Sequence, residues 1–168
     1  MKMTELFLAQ LEREAAKSRR ALERVPEGRP DWKPHEKSMP LGYLSTLVGM
    51  IPEWIARIVS EDELDVKPKA GGKRPAAPGT NQELLALLDA SVAKAQEALG
   101  NTDDEHLLTP WRLLSAGEVK MEQPRYEAIA DTFTHLAHHR GQLTVYLRLN
   151  DLPVPSIYGP TADDPSFG

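Results

Sequence analysis

The longest helical pattern of the chain is PRYEAIADTFTHLAHHRGQLTVYLRL, residues 124–149. Its large apolar side chains recur with the spacing of one helix face, at Ile129, Phe133, Leu136, Leu143 and Leu147. Pro124 suits the first turn, because a proline at that position costs no helical hydrogen bond. The pattern predicts a long helix that turns one face to a protein core.

Three earlier segments show the same periodicity. They predict helices over about residues 4–25, 39–60 and 81–99, so that the helix of residues 124–149 is the fourth. Thr4 and Ser38 are candidate N-caps of the first two helices, and Thr80 with Glu83 matches a capping box at the start of the third. We therefore expect an all-α four-helix bundle.

The connections have a different composition. Residues 64–79 are rich in Pro, Gly, Lys and Ala and predict a loop. Residues 111–114 and 118–121 flank a short turn, which predicts a small hairpin lying over the bundle before the last helix. The tail, residues 150–168, contains too many prolines for a helix but enough apolar residues to dock on the bundle in an extended form.

Composition limits the class of protein. With 168 residues, 40% hydrophobic and 27% charged, the chain has the size and balance of a single domain, residues 1–168. It has no cysteine, which excludes disulfides and thiolate metal ligands. A net charge of −5 argues against nucleic acid as a partner. Neither an export signal nor a membrane span is apparent, so we expect a cytoplasmic location.

Two histidines of the last helix are the candidate functional residues. At about 100° per residue, His135 and His139 share a face while His138 points away from both. Two imidazoles one turn apart suit a zinc- or nickel-like ion, although such pairs are also found hydrogen-bonded or exposed without a metal. Leu136 follows His135, so the general-base glutamate of a metalloprotease is missing. Asp131 lies too far from His139 to share an ion with it, which favours an outer-sphere role.

The segment HLAHHRGQL, residues 135–143, resembles the C-terminal helix signature of the DinB/YfiT-like superfamily. DWKPH, residues 31–35, and SMPLGYL, residues 38–44, resemble the segment that leads into the second helix of that family. The resemblance implies an up-down-down-up four-helix bundle, often dimeric, with a divalent metal held by three histidines. Two of these map onto His135 and His139, and the third position is occupied by Leu47.

Leu47 leaves a metal ion with two histidines. Its neighbours on the second helix are Tyr43, Met50 and Trp54, none of which is a strong metal ligand. The expected ligand pocket consists of these four residues of the second helix and two of the last helix: Tyr43, Leu47, Met50, Trp54, Gln142 and Tyr146. The remaining histidines, His35 and His106, are expected to be solvated.

Two classes of function are consistent with these features. The resemblance implies a metal-dependent enzyme, hydrolase-like or a thiol-dependent transferase, with one zinc or nickel ion at His135 and His139. The alternative is a non-catalytic bundle that binds a small molecule or serves in a stress response after losing the full metal site. In either case we expect a homodimer, because the first and last helices have apolar faces suited to self-association.

Overall fold

The computed structural model describes residues 2–67 and 77–167, which form four long helices, one short helix and a small sheet. None of these helices is long and apolar enough to cross a membrane. The fourth helix of the sequence prediction is α5 of the structure. In chain order the elements are α1 (Met3–Leu22), α2 (Leu41–Ser60), β1 (Glu63–Asp65), α3 (Asn81–Gly100), α4 (Asp104–Leu107), β2 (Pro110–Ser115), β3 (Glu118–Pro124) and α5 (Arg125–Leu149).

The long helices bury their apolar faces in two clusters of side chains. The first cluster lies towards the sheet and includes Phe7, Leu11, Ile55, Ile58, Ala95, Leu99, Trp111, Ile129 and Phe133. The second lies towards the other end and includes Ala21, Leu22, Leu44, Leu47, Val48, Leu84, Leu88, Leu136, Leu143 and Tyr146. Every long helix contributes to both clusters, so the apolar periodicity of each one is satisfied along its length.

The sheet corrects the expectation of an all-α chain. β2 and β3 form the predicted antiparallel hairpin, and β1 adds a third strand parallel to β2, with Leu64 opposite Leu113. The chain is therefore mostly helical with a three-stranded sheet in the order β1-β2-β3. β1 lies at the start of the segment predicted as a loop, and residues 68–76 of that segment lie outside the described part of the chain.

The start of α1 differs from the sequence prediction. Thr4 is not the N-cap, because the helix already begins at Met3 and Thr4 is buried inside its first turn. The free amide hydrogens of this turn are satisfied from a distant element instead. The backbone N–H groups of Met3 and Thr4 donate to the carboxylate of Asp104 in α4, over 3.0 and 3.3 Å. A long-range contact therefore replaces the expected local cap.

The start of α2 is also capped by backbone rather than by a serine. Ser38 is not the N-cap, since the helix begins after Pro40. The amides of Leu41 and Gly42 donate to the carbonyl oxygens of Trp32 and Pro30, over 2.8 and 2.9 Å. The extended connection thus folds back onto the first turn of α2 and satisfies its donors.

The capping box of α3 is present as predicted. The amide of Glu83 donates to Thr80 Oγ1 and the amide of Thr80 donates to Glu83 Oε2, each over 3.2 Å. The two residues satisfy each other's backbone donors, which fixes the first turn of the helix next to the segment that is not described.

The tail after α5 contains no regular element between residues 151 and 167. Ser156 is fully buried, and its carbonyl oxygen accepts a hydrogen bond from Arg20 of α1 over 3.1 Å. The Tyr158 hydroxyl reaches Glu14 of α1 and Arg140 of α5. The tail therefore packs across the seam between α1 and α5.

Candidate functional site

His135 and His139 face each other on α5. Their Nε2 atoms are 2.7 Å apart, and the ring centroids are separated by 4.5 Å. His139 is buried and His135 is half-buried. Two imidazole nitrogens at this distance cannot both present a lone pair, because the lone pairs would repel; one proton or one cation must lie between them.

Gln142 determines which nitrogen of His139 carries a hydrogen. Its side-chain Oε1 lies 2.8 Å from His139 Nδ1 and can only accept, so the imidazole N–H is on Nδ1. Nε2 of His139 therefore carries the lone pair that is directed at His135. In a metal site, this type of contact orients a histidine ligand and makes it more basic.

Burial keeps both imidazoles neutral. It is the main cause that lowers the pKa of His135, and the charges of His139 and His138 lower it further. Burial likewise lowers the pKa of His139, against an opposing effect of the hydrogen bond to Gln142. Both side chains are therefore neutral near neutral pH: His139 offers the lone pair of its Nε2, and His135 offers one at Nε2 when its hydrogen is carried on Nδ1.

Trp54 of α2 forms a wall of the histidine pair. Its ring lies 5.2 Å from the ring of His135 at an angle of 48°. His138 makes an edge contact with His139 at 5.1 Å, but its own side chain is exposed. The described surroundings of the pair are thus an aromatic side chain on α2 and, on α5, an amide and the ring of His138.

The other predicted pocket residues take different positions. Leu47 is 7% exposed and belongs to the same apolar cluster as Tyr146, against which Met50 packs. The hydroxyl of Tyr146 donates to the carbonyl oxygen of Met39 over 3.1 Å, so it is engaged with the connection before α2. Tyr43 is half-buried on α2. The structure places Gln142 and Trp54 in contact with the histidine pair.

The polar residues considered as further ligands have other partners. The carboxylate of Asp131 accepts a hydrogen bond from Gln123 of β3 over 2.9 Å. His35 is exposed and its Nδ1 accepts from the amide of Lys37. His106 is half-buried and bonds to the carbonyl oxygen of Val59 over 2.8 Å, so the expectation that it is simply solvated is wrong.

The donor set fits a metal ion in part. Within residues 2–67 and 77–167, no three His, Cys, Asp or Glu side chains are grouped so that they could hold an ion. Two nitrogen donors are present, and a tetrahedral ion with bonds of 2.0–2.1 Å needs about 3.3 Å between them. The rings would have to separate by roughly 0.6 Å from the present 2.7 Å. His135 and His139 can thus supply two ligands, and the remaining ones must come from outside this pair.

A buried charge cluster next to the pair was not expected from the sequence. Arg140 follows His139 directly and is 1% exposed. Its guanidinium forms an ion pair with Glu14, donates to the Glu14 carbonyl oxygen and to Ser18 Oγ over 3.0 Å each, and donates to the Tyr158 hydroxyl. The cluster joins α1, α5 and the tail.

One signal in the sequence could have revealed this cluster. Arg140 lies between Leu136 and Leu143 on the face that points to the core, where a charged residue needs a buried partner. Burial would raise the pKa of Glu14, but hydrogen bonds from Arg140, Lys17 and Tyr158 together bring it below its usual value. Glu14 is therefore a carboxylate at neutral pH and neutralises Arg140.

Comparison with known proteins identifies the family. The sequence profile of the DinB superfamily matches residues 10–143. A DinB-like protein from Bacillus cereus has a similar structure, with a TM-score of 0.70, 20% identity, and coverage of 92% of this chain and 97% of that one. A DinB-like protein from Bacillus subtilis gives a TM-score of 0.65 at 16% identity and covers 87% of this chain and 92% of its own. None of the curated proteins matches this sequence. The profile spans most of the chain and the fold agrees with it, so the chain belongs to the DinB superfamily.

Proposed function

We propose that His135 and His139 bind one divalent transition-metal ion, zinc or nickel, and that this site serves a hydrolase-like or thiol-dependent transfer reaction. The observation that supports it is the approach of the two Nε2 atoms to 2.7 Å, with Gln142 bonded to the far nitrogen of His139. An outer hydrogen bond that fixes the tautomer of a histidine and leaves the lone pair of its other nitrogen free is how a protein prepares a histidine ligand.

The chain's own residues have distinct tasks in this proposal. Gln142 holds the tautomer of His139, and burial keeps both imidazoles unprotonated. Trp54 covers His135 and limits water on that side. When bound, a divalent ion lowers the pKa of a water or thiol beside it, which supplies the nucleophile that a cysteine-free chain lacks. The thiol must therefore come from a small molecule.

Metal content of tag-free protein tests this function. We expect about one zinc or nickel ion per chain after incubation with the metal and removal of excess, because two neutral imidazoles one turn apart can chelate an ion. His139→Ala should lose the ion. His138→Ala is the matched control, since His138 is on the same helix but exposed, and it should retain the ion. Metal-free wild type, or equal metal loss in both variants, would overturn the proposal.

A second candidate function is binding of a small organic molecule without a metal. Leu47 supports it, because an apolar side chain packed in the second cluster occupies the position that the resemblance gives to a third histidine. The histidine pair would then serve as hydrogen-bonding groups for the ligand. Thermal-shift screening of thiols and small acids distinguishes the two candidates: stabilisation that survives a chelator supports metal-free binding, and stabilisation that the chelator abolishes contradicts it.

We also infer the up-down-down-up order of the long helices. The supporting observation is the order in which each helix contributes to the two clusters. Phe7 of α1 and Ile129 of α5 lie in the first cluster and the later residues of these helices in the second. The reverse holds for α2 and α3, where Leu44 and Leu84 lie in the second cluster and Ile58 in the first. α2 and α3 therefore run together, opposite to α1 and α5.

We further propose that the protein is a homodimer through α1 and α5. Val145 and Leu149, one turn apart near the end of α5, are each 55% exposed, and Leu6, near the start of α1 and therefore towards the opposite end of the bundle, is 46% exposed. Exposed large apolar side chains on both helices favour contact with a second copy. Light scattering should give about twice the chain mass, and Val145→Glu should shift the protein to the monomer. A monomeric wild type at micromolar concentration would contradict the proposal.

A further inference from the structure

The tail after α5 is held in shape by its own hydrogen bonds. Thr161 Oγ1 donates to the carbonyl oxygen of Val154 over 2.7 Å and accepts from the amide of Asp164 over 3.1 Å. The carboxylate of Asp164 accepts from the amide of Ser156 over 3.0 Å. These contacts tie residues 154–164 together although the segment contains no regular element. We therefore expect the tail to attach to the bundle, and to detach from it, as one unit.

A reversal of the chain brings the tail back along α5. The helix ends at Leu149, and Asp151 has a left-handed backbone with a φ of 58°. Aspartate adopts this conformation more readily than most residues with a side chain. The chain then returns far enough for Tyr158 to contact Arg140, which lies nine residues before the end of α5.

Tyr158 connects the tail to the buried ion pair of α1 and α5. Its hydroxyl donates to the Glu14 carboxylate over 2.7 Å and accepts a hydrogen bond from Arg140. The Nζ atom of Lys17 lies 4.1 Å from the centre of its ring. Tyr158 is 61% exposed and Arg140 is 1% exposed, so the tyrosine lies between the ion pair and the solvent.

The other polar attachments of the tail are closer to the surface. Arg20 donates to the carbonyl oxygen of Ser156 over 3.1 Å, and Arg148 forms an ion pair with Asp163 in which both side chains are accessible to water. An exposed ion pair contributes little to stability. Hydrogen bonds to buried charged groups contribute more, which makes the hydroxyl of Tyr158 the main polar attachment.

The histidine pair lies on a different side of α5 from the tail. His139 precedes Arg140, and His135, five residues before Arg140, is about 140° away from it around the helix. On that side the ring of His135 lies 5.2 Å from the ring of Trp54 in α2. A rotation of α5 about its axis would therefore change the contact with Tyr158 and the contact with Trp54 together.

We propose that Tyr158 is a positioning residue for the histidine pair, and that the attached tail holds α5 in the rotation at which His135 contacts Trp54. When the tail detaches, water reaches the ion pair of Arg140 and Glu14, and α5 gains freedom to turn. The importance of this position for catalysis rests on the proposed metal site. The contact between His135 and Trp54 itself needs no ion, so it can be followed in the metal-free protein.

The indole N–H signals of the three tryptophans report on this position in nuclear magnetic resonance spectra of the metal-free protein. Tyr158→Phe removes the hydroxyl and keeps the ring. We expect the signal of Trp54 to shift or broaden, and the signal of Trp111, which lies in the first cluster, to stay unchanged. Tyr126→Phe is the matched control. It also removes a tyrosine hydroxyl, one that donates to the exposed Glu127 over 2.8 Å, and should leave the Trp54 signal unchanged.

A second variant tests whether the tail acts as a unit. Thr161→Val removes hydrogen bonds inside the tail, and we expect it to change the Trp54 signal in the same direction as Tyr158→Phe. The amide of Ser156 should exchange its hydrogen about fivefold faster in Tyr158→Phe than in the wild type, because one hydrogen bond that keeps the tail attached is lost.

Four results would overturn the proposal: an unchanged Trp54 signal in Tyr158→Phe, an equal change in Tyr126→Phe, an equal change at Trp111, or no effect of Thr161→Val on Trp54. All the signals are recorded without metal. A protein that binds no zinc or nickel would therefore contradict the proposed function and leave this result standing, and a protein that binds the ion with unchanged signals would do the reverse.

Discussion

Replacement of Leu47 by histidine gives the sharpest test of the candidate metal site. Leu47 is 7% exposed and packs in the cluster that contains Leu136 and Leu143, which flank His139 along α5. Loss of its burial costs roughly 1.5–3 kcal/mol, and an imidazole without a partner adds to that cost. We expect Leu47→His without metal to be destabilised by about 3 kcal/mol. For a chain of this size, this lowers the melting temperature by about 6–12 °C.

Zinc should reverse this loss, because a third imidazole completes the ligand set of His135 and His139. At a free zinc concentration about 100 times the dissociation constant, binding adds about 2.7 kcal/mol to the free energy of unfolding. The assay is thermal unfolding by circular dichroism, with zinc and with chelator, of the wild type and of Leu47→His. Zinc should raise the melting temperature of Leu47→His by about 5–11 °C relative to chelator, and that of the wild type, which offers two imidazoles, by less.

Leu44→His is the matched control for this experiment. Leu44 is fully buried in the same cluster of α2, about one helical turn before Leu47, so its replacement has a similar cost without metal. Zinc should not restore its stability. The reasoning is refuted if zinc stabilises Leu44→His as much as Leu47→His, or if the zinc effect on Leu47→His persists when His139 is also changed to alanine.

Three further predictions concern the scaffold that holds the site. Glu14→Gln should destabilise the protein by about 3 kcal/mol in urea unfolding, because it leaves the buried Arg140 without its counter-charge. The control Glu12→Gln, on the exposed face of α1, should change the free energy of unfolding by less than about 0.5 kcal/mol. Similar effects of the two variants would contradict a buried ion pair. Since the pKa of Glu14 is lower in the folded than in the unfolded chain, its stabilising effect is present above its usual pKa of 4.5 and is lost as the pH falls below it. Urea unfolding between about pH 6 and about pH 3 should therefore show a steeper loss of stability for the wild type than for Glu14→Gln, and parallel curves would contradict this. Gly42→Ala should destabilise the protein by about 1–3 kcal/mol, because the new Cβ would lie 2.9 Å from Cβ of Pro30. Gly141→Ala should stabilise the protein by about 0.5–1 kcal/mol, since a Cβ there meets nothing within 4 Å. Thermal unfolding that ranks the two variants in the opposite order would be inconsistent with this packing.

The helices could be predicted because their information is local. Apolar spacing and breakers located α1, α2, α3 and α5 to within about three residues, and the turn residues between β2 and β3 indicated the hairpin. β1 has three residues and no alternating pattern, and its partner β2 lies 49 residues later in the chain, as the pair Leu64 and Leu113 shows. The caps of α1 and α2 were missed for the same reason: their acceptors are distant carboxylate and carbonyl groups.

In the candidate site too, the features that depend on local spacing could be predicted and those that depend on helix packing could not. That His135 and His139 share a face follows from their spacing, and the role of Gln142 is a local one, three residues after His139. The contact between Trp54 and His135 depends on how α2 and α5 pack, which periodicity does not determine. Tyr146 shows the opposite case, since its spacing suits the histidine face but its hydroxyl is bonded to Met39.

Arg140 links the scaffold to the site. The distance between the two histidines depends on α5 alone, but their position relative to Leu47 and Trp54 depends on how α5 is rotated against α2. Arg140 resists that rotation, because its guanidinium is fixed in the core by Glu14 of α1 and by Tyr158 of the tail. His139 is the preceding residue, about 100° away around the helix. A rotation of α5 about its axis that kept Arg140 buried could therefore not move His139 far from α2. The buried ion pair is therefore a condition for the proposed contact between a side chain at position 47 and the histidines.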